Sequence, residues 1–460
     1  MKKGFLNKLL VIITVLLISI SFVSCGSSEP PVYEDTGLEM QIGAWVSPNI
    51  QKDSSGNYKY ITLEQYQAIA DSGINTIYGL YEVFDLNATM TALDLADQVG
   101  IGYYVRDPRI SGLFQGVLNV QGIPDEDEVN DDYADFIDAV DDYKDHVSFK
   151  GNLIYDEPGG SLYDWLGLYN EKYSTYLPDK DFYVNLLPTY ASLAQRDELN
   201  YEQYLRQYIE TVNPAFVSYD HYPLMVFYEE PVLTDDFLYN LEIVSTIAHE
   251  YDLPFWTFIQ TIGFTVPSGT QHRVPTEADL RWQVALSMAY GAQGIQHFCY
   301  WTPGTGTNES FDNAMIDREG NKTPLYFAAQ TVNQEVLSYD EVYLQFDWQG
   351  VLTHSNESFE VVNFRMLQNR LESHARIESI TSEEDVVIGT FTGPNNEDAF
   401  MVVNFNDPAL GLSNKVQIDF NDAKQAIVYI KGVRTIVDLD KGVLDIELES
   451  GEGIFVIPFK

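Results

Sequence analysis

The 460-residue chain contains only two cysteines, Cys25 and Cys299. That is too few for a disulfide scaffold or a cysteine-rich metal site. Its histidines (His146, His221, His249, His272, His297, His354 and His374) are scattered, with no His-Glu-x-x-His or His-x-His spacing. A zinc site or a two-histidine, one-carboxylate site is therefore not expected. Basic residues are scarce: 26 Lys and Arg face 69 Asp and Glu, a net charge of −43. A nucleic-acid binder needs a basic face, so that class is excluded, as is charge-driven docking on an anionic membrane. No Gly-rich phosphate loop follows the first strand-like segment, no Gly-x-Ser-x-Gly elbow is present, and no internal repeat occurs. What is abundant is apolar and aromatic: 45% hydrophobic residues, with 31 Tyr and 25 Phe. Such a chain buries a large core despite its charge.

The one long apolar run lies at the N-terminus. MKKGFLNK precedes LLVIITVLLISISFV and then Ser24-Cys25-Gly26, the pattern of a secretory signal. Phe22-Val23-Ser24-Cys25 resembles the lipobox of bacterial lipoproteins. The resemblance implies cleavage before Cys25, a diacylglyceryl thioether on its sulfur, and a membrane partner reached through that lipid. An uncleaved transmembrane anchor is the alternative, and both place the folded part outside the cytoplasm. Residues 1–24 thus read as signal and 25–38 as a tether beginning Gly26-Ser27-Ser28-Glu29-Pro30-Pro31. Cys299, within an apolar run, reads as a buried thiol.

Strand-like and helix-like segments then alternate eight times. Apolar or β-branched runs at 40–46, 75–82, 101–108, 149–158, 181–190, 215–224, 254–263 and 294–303 read as strands. Between and after them, 62–73, 87–100, 131–145, 162–176, 201–212, 235–251, 275–291 and 324–338 carry helical spacing with caps and Gly stops. Eight such units predict a (β/α)₈ TIM barrel over 39–345, with a doubly wound open sheet as the rival. The stretch 125–145 holds 11 Asp and Glu against one Lys, and its charges read as the solvated face of an amphipathic helix. Beyond residue 345 the pattern changes to short strands, such as 359–364, 385–389, 399–405 and 425–430, split by turn residues. Residues 346–460 therefore read as a smaller all-β sandwich.

In such a barrel the loops after the strands build the site, so strand-end residues carry the chemistry. They are Trp45, Glu82, Arg106 with Asp107, Asp156 with Glu157, Asn185, Asp220 with His221 and Tyr222, Gln260, and Trp301. Asp156-Glu157-Pro158 is the sharpest: two adjacent carboxylates at a strand tip, whose mutual repulsion raises at least one pKa and supplies an acid near neutral pH. A plain helix-capping pair is the bland alternative. Trp45 and Trp301 are candidate sugar platforms, with core packing as the alternative for each. No metal or cofactor is implied by these residues.

The order of strands, the carboxylate pair after strand four, Asp220-His221-Tyr222-Pro223 after strand six, the aromatic end of strand eight and the trailing sandwich resemble barrel glycoside hydrolases of clan A, similar to family 42 or family 5. The resemblance implies that the chain cleaves an O-glycosidic bond of an oligo- or polysaccharide, that Glu157 is the acid/base, and that Asp156 stands where the family has Asn. The nucleophile of the clan ends strand seven, but Phe258-Ile259-Gln260-Thr261 holds no carboxylate. Three mechanisms accommodate the departure. Asp220 replaces the nucleophile or acts as base, with Glu82 or Asp107 as weaker candidates. Alternatively, as in N-acetylhexosaminidases, Asp156 orients a 2-acetamido group that attacks while Glu157 protonates. Finally, the barrel binds surface glycans without cleaving them. The other strand-end residues, from Trp45 to Trp301, are expected to bind the sugar.

Overall fold

The computed structural model describes residues 29–107, 109–110, 136–305, 309–356 and 360–460. The signal and the lipidation reading at Cys25 lie outside the described residues, as do residues 131–135 of the acidic helix. From 136 that stretch is helical to 140, burying Phe136, Val140 and Tyr143 while Asp138, Asp141 and Asp142 face solvent. No helix among the described residues is long and apolar enough to cross a membrane.

Eight parallel strands close on themselves: β1 Gln41–Ala44, β2 Thr76–Gly79, β3 Gly102–Val105, β4 Phe149–Asp156, β5 Asp181–Leu186, β6 Val217–Asp220, β7 Phe255–Gln260 and β8 Gly294–Phe298. Gly294 of β8 pairs with Gln41 of β1, which completes the ring and leaves no sheet edge. β2, β3 and β6 are buried along their whole length, as strands with barrel interior on one side and helices on the other must be. The helices follow from their spacing and caps. Over Tyr201–Val212 the buried stripe is Tyr201, Tyr204, Leu205, Tyr208, Ile209 and Val212. Asn200 and Gln203 form a capping box at its start, and Asn213 takes the left-handed conformation at its end. The (β/α)₈ barrel is thus the fold, and an open doubly wound sheet is excluded by the closure.

Nine further strands follow: β9 Asp347–His354, β10 Ile377–Ser382, β11 Val386–Thr392, β12 Asp398–Asn404, β13 Asn414–Phe420, β14 Gln425–Ile430, β15 Val433–Asp438, β16 Val443–Leu448 and β17 Gly453–Phe459. Six pair in the order β9-β11-β12-β17-β14-β15 and three in the order β10-β13-β16, forming an all-β sandwich. Its core is made by alternation, as in β13, where Val416, Ile418 and Phe420 point inward. One strand reading is corrected here: Val362–Met366 is a helix, and residues 357–359 lie outside the described residues. Its Phe364 is buried beside Phe405 with ring centroids 5.1 Å apart, so tertiary packing overrides the β-branched Val361-Val362 pair.

The helix Glu277–Ala289 carries the sandwich. A side chain at Gly389 would meet the Ala289 carbonyl oxygen at 2.0 Å, so only glycine lets the sheet approach. Arg273 pins the junction, pairing with Asp279 at 2.7 Å and with Asp407 of the sandwich at 2.5 Å. A small antiparallel sheet grows from the loops after β6, β7 and β8. Its order is Ser310–Phe311, Phe264–Thr265, Gln271–His272, Leu224–Phe227 and Glu230–Leu233, and it stands beside the barrel mouth.

Candidate active site

Register brings the polar strand ends together. Asp156 of β4 lies opposite Asn185 of β5, and Asn185 lies opposite Ser218 of β6, two residues before Asp220. Neighbouring strand residues normally point to opposite sides. Glu157 escapes this rule because its φ is +55°, a left-handed conformation uncommon for a residue with a Cβ. Its N–H donates to the Asn185 carbonyl at 2.8 Å, and the Tyr204 hydroxyl donates to the Pro158 carbonyl at 2.8 Å, fixing the turn. Asp156 and Glu157 therefore both open onto the mouth, at a backbone strain of the kind retained at functional sites.

Asn185 organises the carboxylates. Its Nδ2 donates to Asp220 at 3.0 Å and to Asp156 at 3.3 Å, while its Oδ1 accepts from the Ser218 hydroxyl at 3.0 Å. The last bond fixes which way the amide points. Beneath it, Gln296 Nε2 donates to Ser218 and Tyr183 at 3.0 Å each, and the Tyr78 hydroxyl donates to Gln296 Oε1. This buried chain through the barrel interior holds the site from below.

The electrostatics follow from crowding. Desolvation within the mouth, then the fields of Asp220 and Asp156, push Glu157 far above the ordinary carboxylate range. Burial, then the field of Asp156, raises Asp220 as well, against the opposing Asn185 bond. Glu157 and Asp220 lie within each other's fields and titrate as a pair. Desolvation also raises Asp156, with the Asn185 bond and the Arg106 guanidinium opposing it. At neutral pH the trio carries a retained proton on Glu157, the state a general acid requires. Among the described residues, no group of three His, Cys, Asp or Glu side chains is placed to hold a metal ion.

Other strand-end residues are placed differently from their sequence reading. Trp301 is not a platform: it is 1% exposed, bridges to Ile316 and packs on Tyr60 at 4.8 Å. Trp45 is likewise a packing residue, set edge-on to Phe258 at 5.3 Å inside the barrel. Glu82 is wholly buried against the Ser47 and Tyr66 hydroxyls, where burial raises its pKa to about 7. Asp107 is buried and bonded to Arg109 through both carboxylate oxygens, with distances of 2.7 and 3.1 Å. His221 is fully buried, with Nε2 3.1 Å from Asp236 and its ring against Tyr190 and Phe237. Gln260 is consumed by backbone: Oε1 accepts from Leu224 N–H at 3.1 Å, and Nε2 donates to the carbonyls of Arg273 at 2.8 Å and of Leu224 and Ile262 at 3.3 Å. It anchors the side sheet to β7 and has no donor left over for a sugar. Cys299 is a free buried thiol. The residues gathered at the mouth are thus Asp156, Glu157, Asn185, Asp220 and Tyr222, whose hydroxyl faces Asp220, with Arg106 behind Asp156.

Three further residues stand at the mouth. Tyr190 is 52% exposed, with its hydroxyl in the field of Asp220 and Glu157. Glu309, in the loop after β8, adds to the field at Glu157. Phe298 takes the place expected for Trp301, lying 5.0 Å from the Tyr222 ring. Tyr190 ends the fifth apolar run and Phe298 lies in the eighth, whereas Glu309 follows in a loop that no periodicity marks.

Residues 181–339, from β5 through the helix after β8, match the family model of glycoside hydrolase family 42, described as beta-galactosidase. The match includes Asn185, Asp220 and Gln260 and begins after Glu157. No curated protein matches the chain. The beta-galactosidase from Bacillus circulans sp. alkalophilus is similar in fold, with a TM-score of 0.57 at 9% identity over 92% of this chain and 99% of that one. A glycoside hydrolase family 5 structure from Bacteroides vulgatus ATCC 8482 gives 0.52 at 13% identity over 92% and 88%. Against the beta-galactosidase of the psychrophilic Marinomonas ef1 the TM-score is 0.47 at 11% identity, over 66% of this chain and only 60% of that enzyme's length. The matched segment is similar to family 42, and the closed barrel is the fold shared with these structures.

Proposed function

We propose that the protein is a glycosidase in which Glu157 protonates the leaving glycosidic oxygen. The observation that carries this reading is the strained strand tip that turns Glu157 to the mouth beside Asp156 and Asp220, which Asn185 holds together, a crowding that pushes the Glu157 carboxyl upward. A carboxyl that keeps its proton toward neutral pH among other carboxyls is what acid-catalysed glycoside cleavage needs. Asn185 holds Asp220 and Asp156 in place, Tyr190 and Phe298 offer aromatic faces to the sugar, and Tyr222 and Arg106 complete the wall. The segment match makes a β-galactoside the first substrate to test. The glycan lies outside the cytoplasm in this reading, with the enzyme tethered by lipid on Cys25.

Two readings of the second step remain, separated by geometry. If Asp220 is nucleophile or base, the two carboxyls should stand about 5–5.5 Å apart for retention or roughly 6.5–9.5 Å apart for inversion. Glu157 lies in the field of Asp220, and the strand-seven position is a Gln spent on backbone. These facts favour a second reading, in which the 2-acetamido group of the substrate attacks, Asp156 or Asp220 orients it, and Glu157 remains the acid. Assaying 4-nitrophenyl β-galactoside beside 4-nitrophenyl N-acetyl-β-glucosaminide decides. Cleavage of the galactoside, abolished by Asp220→Asn, establishes Asp220 as the second carboxylate. Cleavage of the acetamido sugar alone establishes the substrate-assisted route. Affinity for both sugars without products leaves a glycan-binding barrel and ends the enzymatic reading.

A further inference from the structure

The chain reaches β1 along a docked strap. Met40 is fully buried, and its N–H donates to Asp340 at 2.8 Å. Upstream, the Thr36 and Gly37 N–H groups both donate to one carboxylate oxygen of Glu341, Gly37 at 2.9 Å. Gly37 has a φ of +68°, a left-handed conformation that glycine takes without strain. Gln345 Nε2 donates to the Glu34 carbonyl at 3.2 Å. The Tyr33 ring packs on Phe346 at 5.4 Å, and its hydroxyl lies in the field of Glu397, just before β12 of the sandwich. Residues 33–40 are thus tied to the barrel and to the sandwich.

This strap lies on the face opposite the mouth. In the barrel fold the site is built at the strand ends, while the segments entering the strands lie at the other face. Asp340 and Glu341 follow the last barrel helix, Pro324–Leu337, at the level of the strand starts. Phe346 lines one cavity with Pro254 and Gln293, which directly precede β7 and β8. Asp156 and Asp220 end their strands, so they open on the far side.

Cys25 stands eight residues before Tyr33. A stretch of that length spans at most about 29 Å. To turn the mouth toward a membrane holding Cys25, it would have to climb the barrel wall from the strap. The eight residues of β4, at about 3.3 Å each and a tilt of about 36°, rise about 21 Å, and the loops of the mouth stand above them. The stretch would be drawn nearly taut, which chain entropy opposes. With the strap loose, the fifteen residues from Cys25 to Met40 would span up to about 54 Å, and either face could turn to the lipid. Charge does not hold the body to the lipid, because Glu34, Asp35 and Glu39 are exposed along the strap.

We propose that the docked strap orients the anchored protein, with the strand-start face toward its own membrane and the Glu157 mouth away from it. This rests on the anchored reading of Cys25 given above, and a spanning anchor ending at Ser24 gives the same orientation. The glycan is then one presented from outside, and sugar headgroups of the protein's own membrane are out of reach.

The test is energy transfer from the protein to lipid. The full lipidated chain is placed in phosphatidylcholine vesicles that carry a rhodamine lipid. One exposed alanine on each face is replaced for labelling: Ala215→Cys, before β6, and Ala194→Cys, in the loop after β5. Cys299 is buried and Cys25 is blocked by its lipid, so a fluorescein maleimide reads the new position alone. Transfer should be stronger from position 215 than from position 194. Tyr33→Ala combined with Glu341→Ala frees the strap and should lose most of that difference, with near-UV circular dichroism unchanged. Equal or stronger transfer from position 194, or a difference that survives the loosened strap, overturns the proposal while the anchor stands. If mass spectrometry finds no lipid on Cys25 and the chain does not float with vesicles, the anchored reading itself has failed and takes the orientation with it.

Discussion

Asn185 offers a quantitative handle on the site, because one amide serves two carboxylates. In Asn185→Ala, Asp220 loses a donor at 3.0 Å and Asp156 loses one at 3.3 Å. Hydrogen bonds to charged groups contribute about 1.5–3 kcal/mol each. Since the bond stabilises the charged form, its loss raises both carboxyl pKa values, by about one unit per 1.4 kcal/mol. The trio titrates as a coupled set, so the effect is read on macroscopic limbs of the pH–rate profile. The acid limb reports ionisation of the Asp156 and Asp220 side, and the alkaline limb reports loss of the Glu157 proton. The acid limb should move up by about one unit or more. At its former optimum, kcat/KM should fall roughly ten- to a hundredfold. The assay is kcat/KM for an aryl glycoside from pH 4 to 9, beside a thermal melt to confirm folding. A loss of activity with an unmoved acid limb would show that Asn185 does not hold the carboxylates, and the reasoning would fall.

Other perturbations separate packing from chemistry. Glu82 has its folded pKa raised by burial from 4.5 to about 7, so its stabilising contribution is full below about pH 4.5 and is lost as pH rises through 7. Glu82→Gln should therefore flatten the fall in stability between pH 5 and 8, by up to about 3 kcal/mol, in urea titrations at each pH. Gln260→Glu restores a carboxylate at the end of β7 but points it at three carbonyls; a lowered melting temperature and no gain in turnover are expected, and a more active variant would contradict the backbone-clamp role. Trp301→Ala should cost about 3–5 kcal/mol of stability as a core truncation, checked by denaturant unfolding. A stable variant with only a raised KM would return Trp301 to the mouth.

The barrel was legible because its signals are periodic and local. The β5 and β6 runs and the 201–212 helix with its Asn200 start announce themselves through alternation, stripe and cap, and the structure places them there. Fine placement at the mouth was only partly legible. Asp156, Glu157 and Asp220 stood out as carboxylates ending apolar runs, and the structure gathers them. Trp301 also ended such a run, yet its chain continues into a bridge with Ile316 that turns the ring inward. Gln260 was read as a lost nucleophile, but what it does was hidden, because its partners at 224, 262 and 273 come from a side sheet that no periodicity marks. Tyr190 and Glu309 come from loops, whose conformation depends on tertiary contacts. The helix at Val362–Met366 shows the same override, with β-branched Val362 taken into a helix capped by Val361 as Phe364 is buried.

The central claim is that Glu157 holds the proton delivered to the leaving group. It is tested most directly by turnover of an unactivated glycoside by Glu157→Gln, with the thermal midpoint measured on the same sample. The amide keeps the shape and cannot supply the proton. In this variant kcat should fall by about 10²–10⁴, with an unchanged midpoint and without the alkaline limb of the pH profile. Turnover within about twofold of wild type, or an alkaline limb that persists, would contradict it.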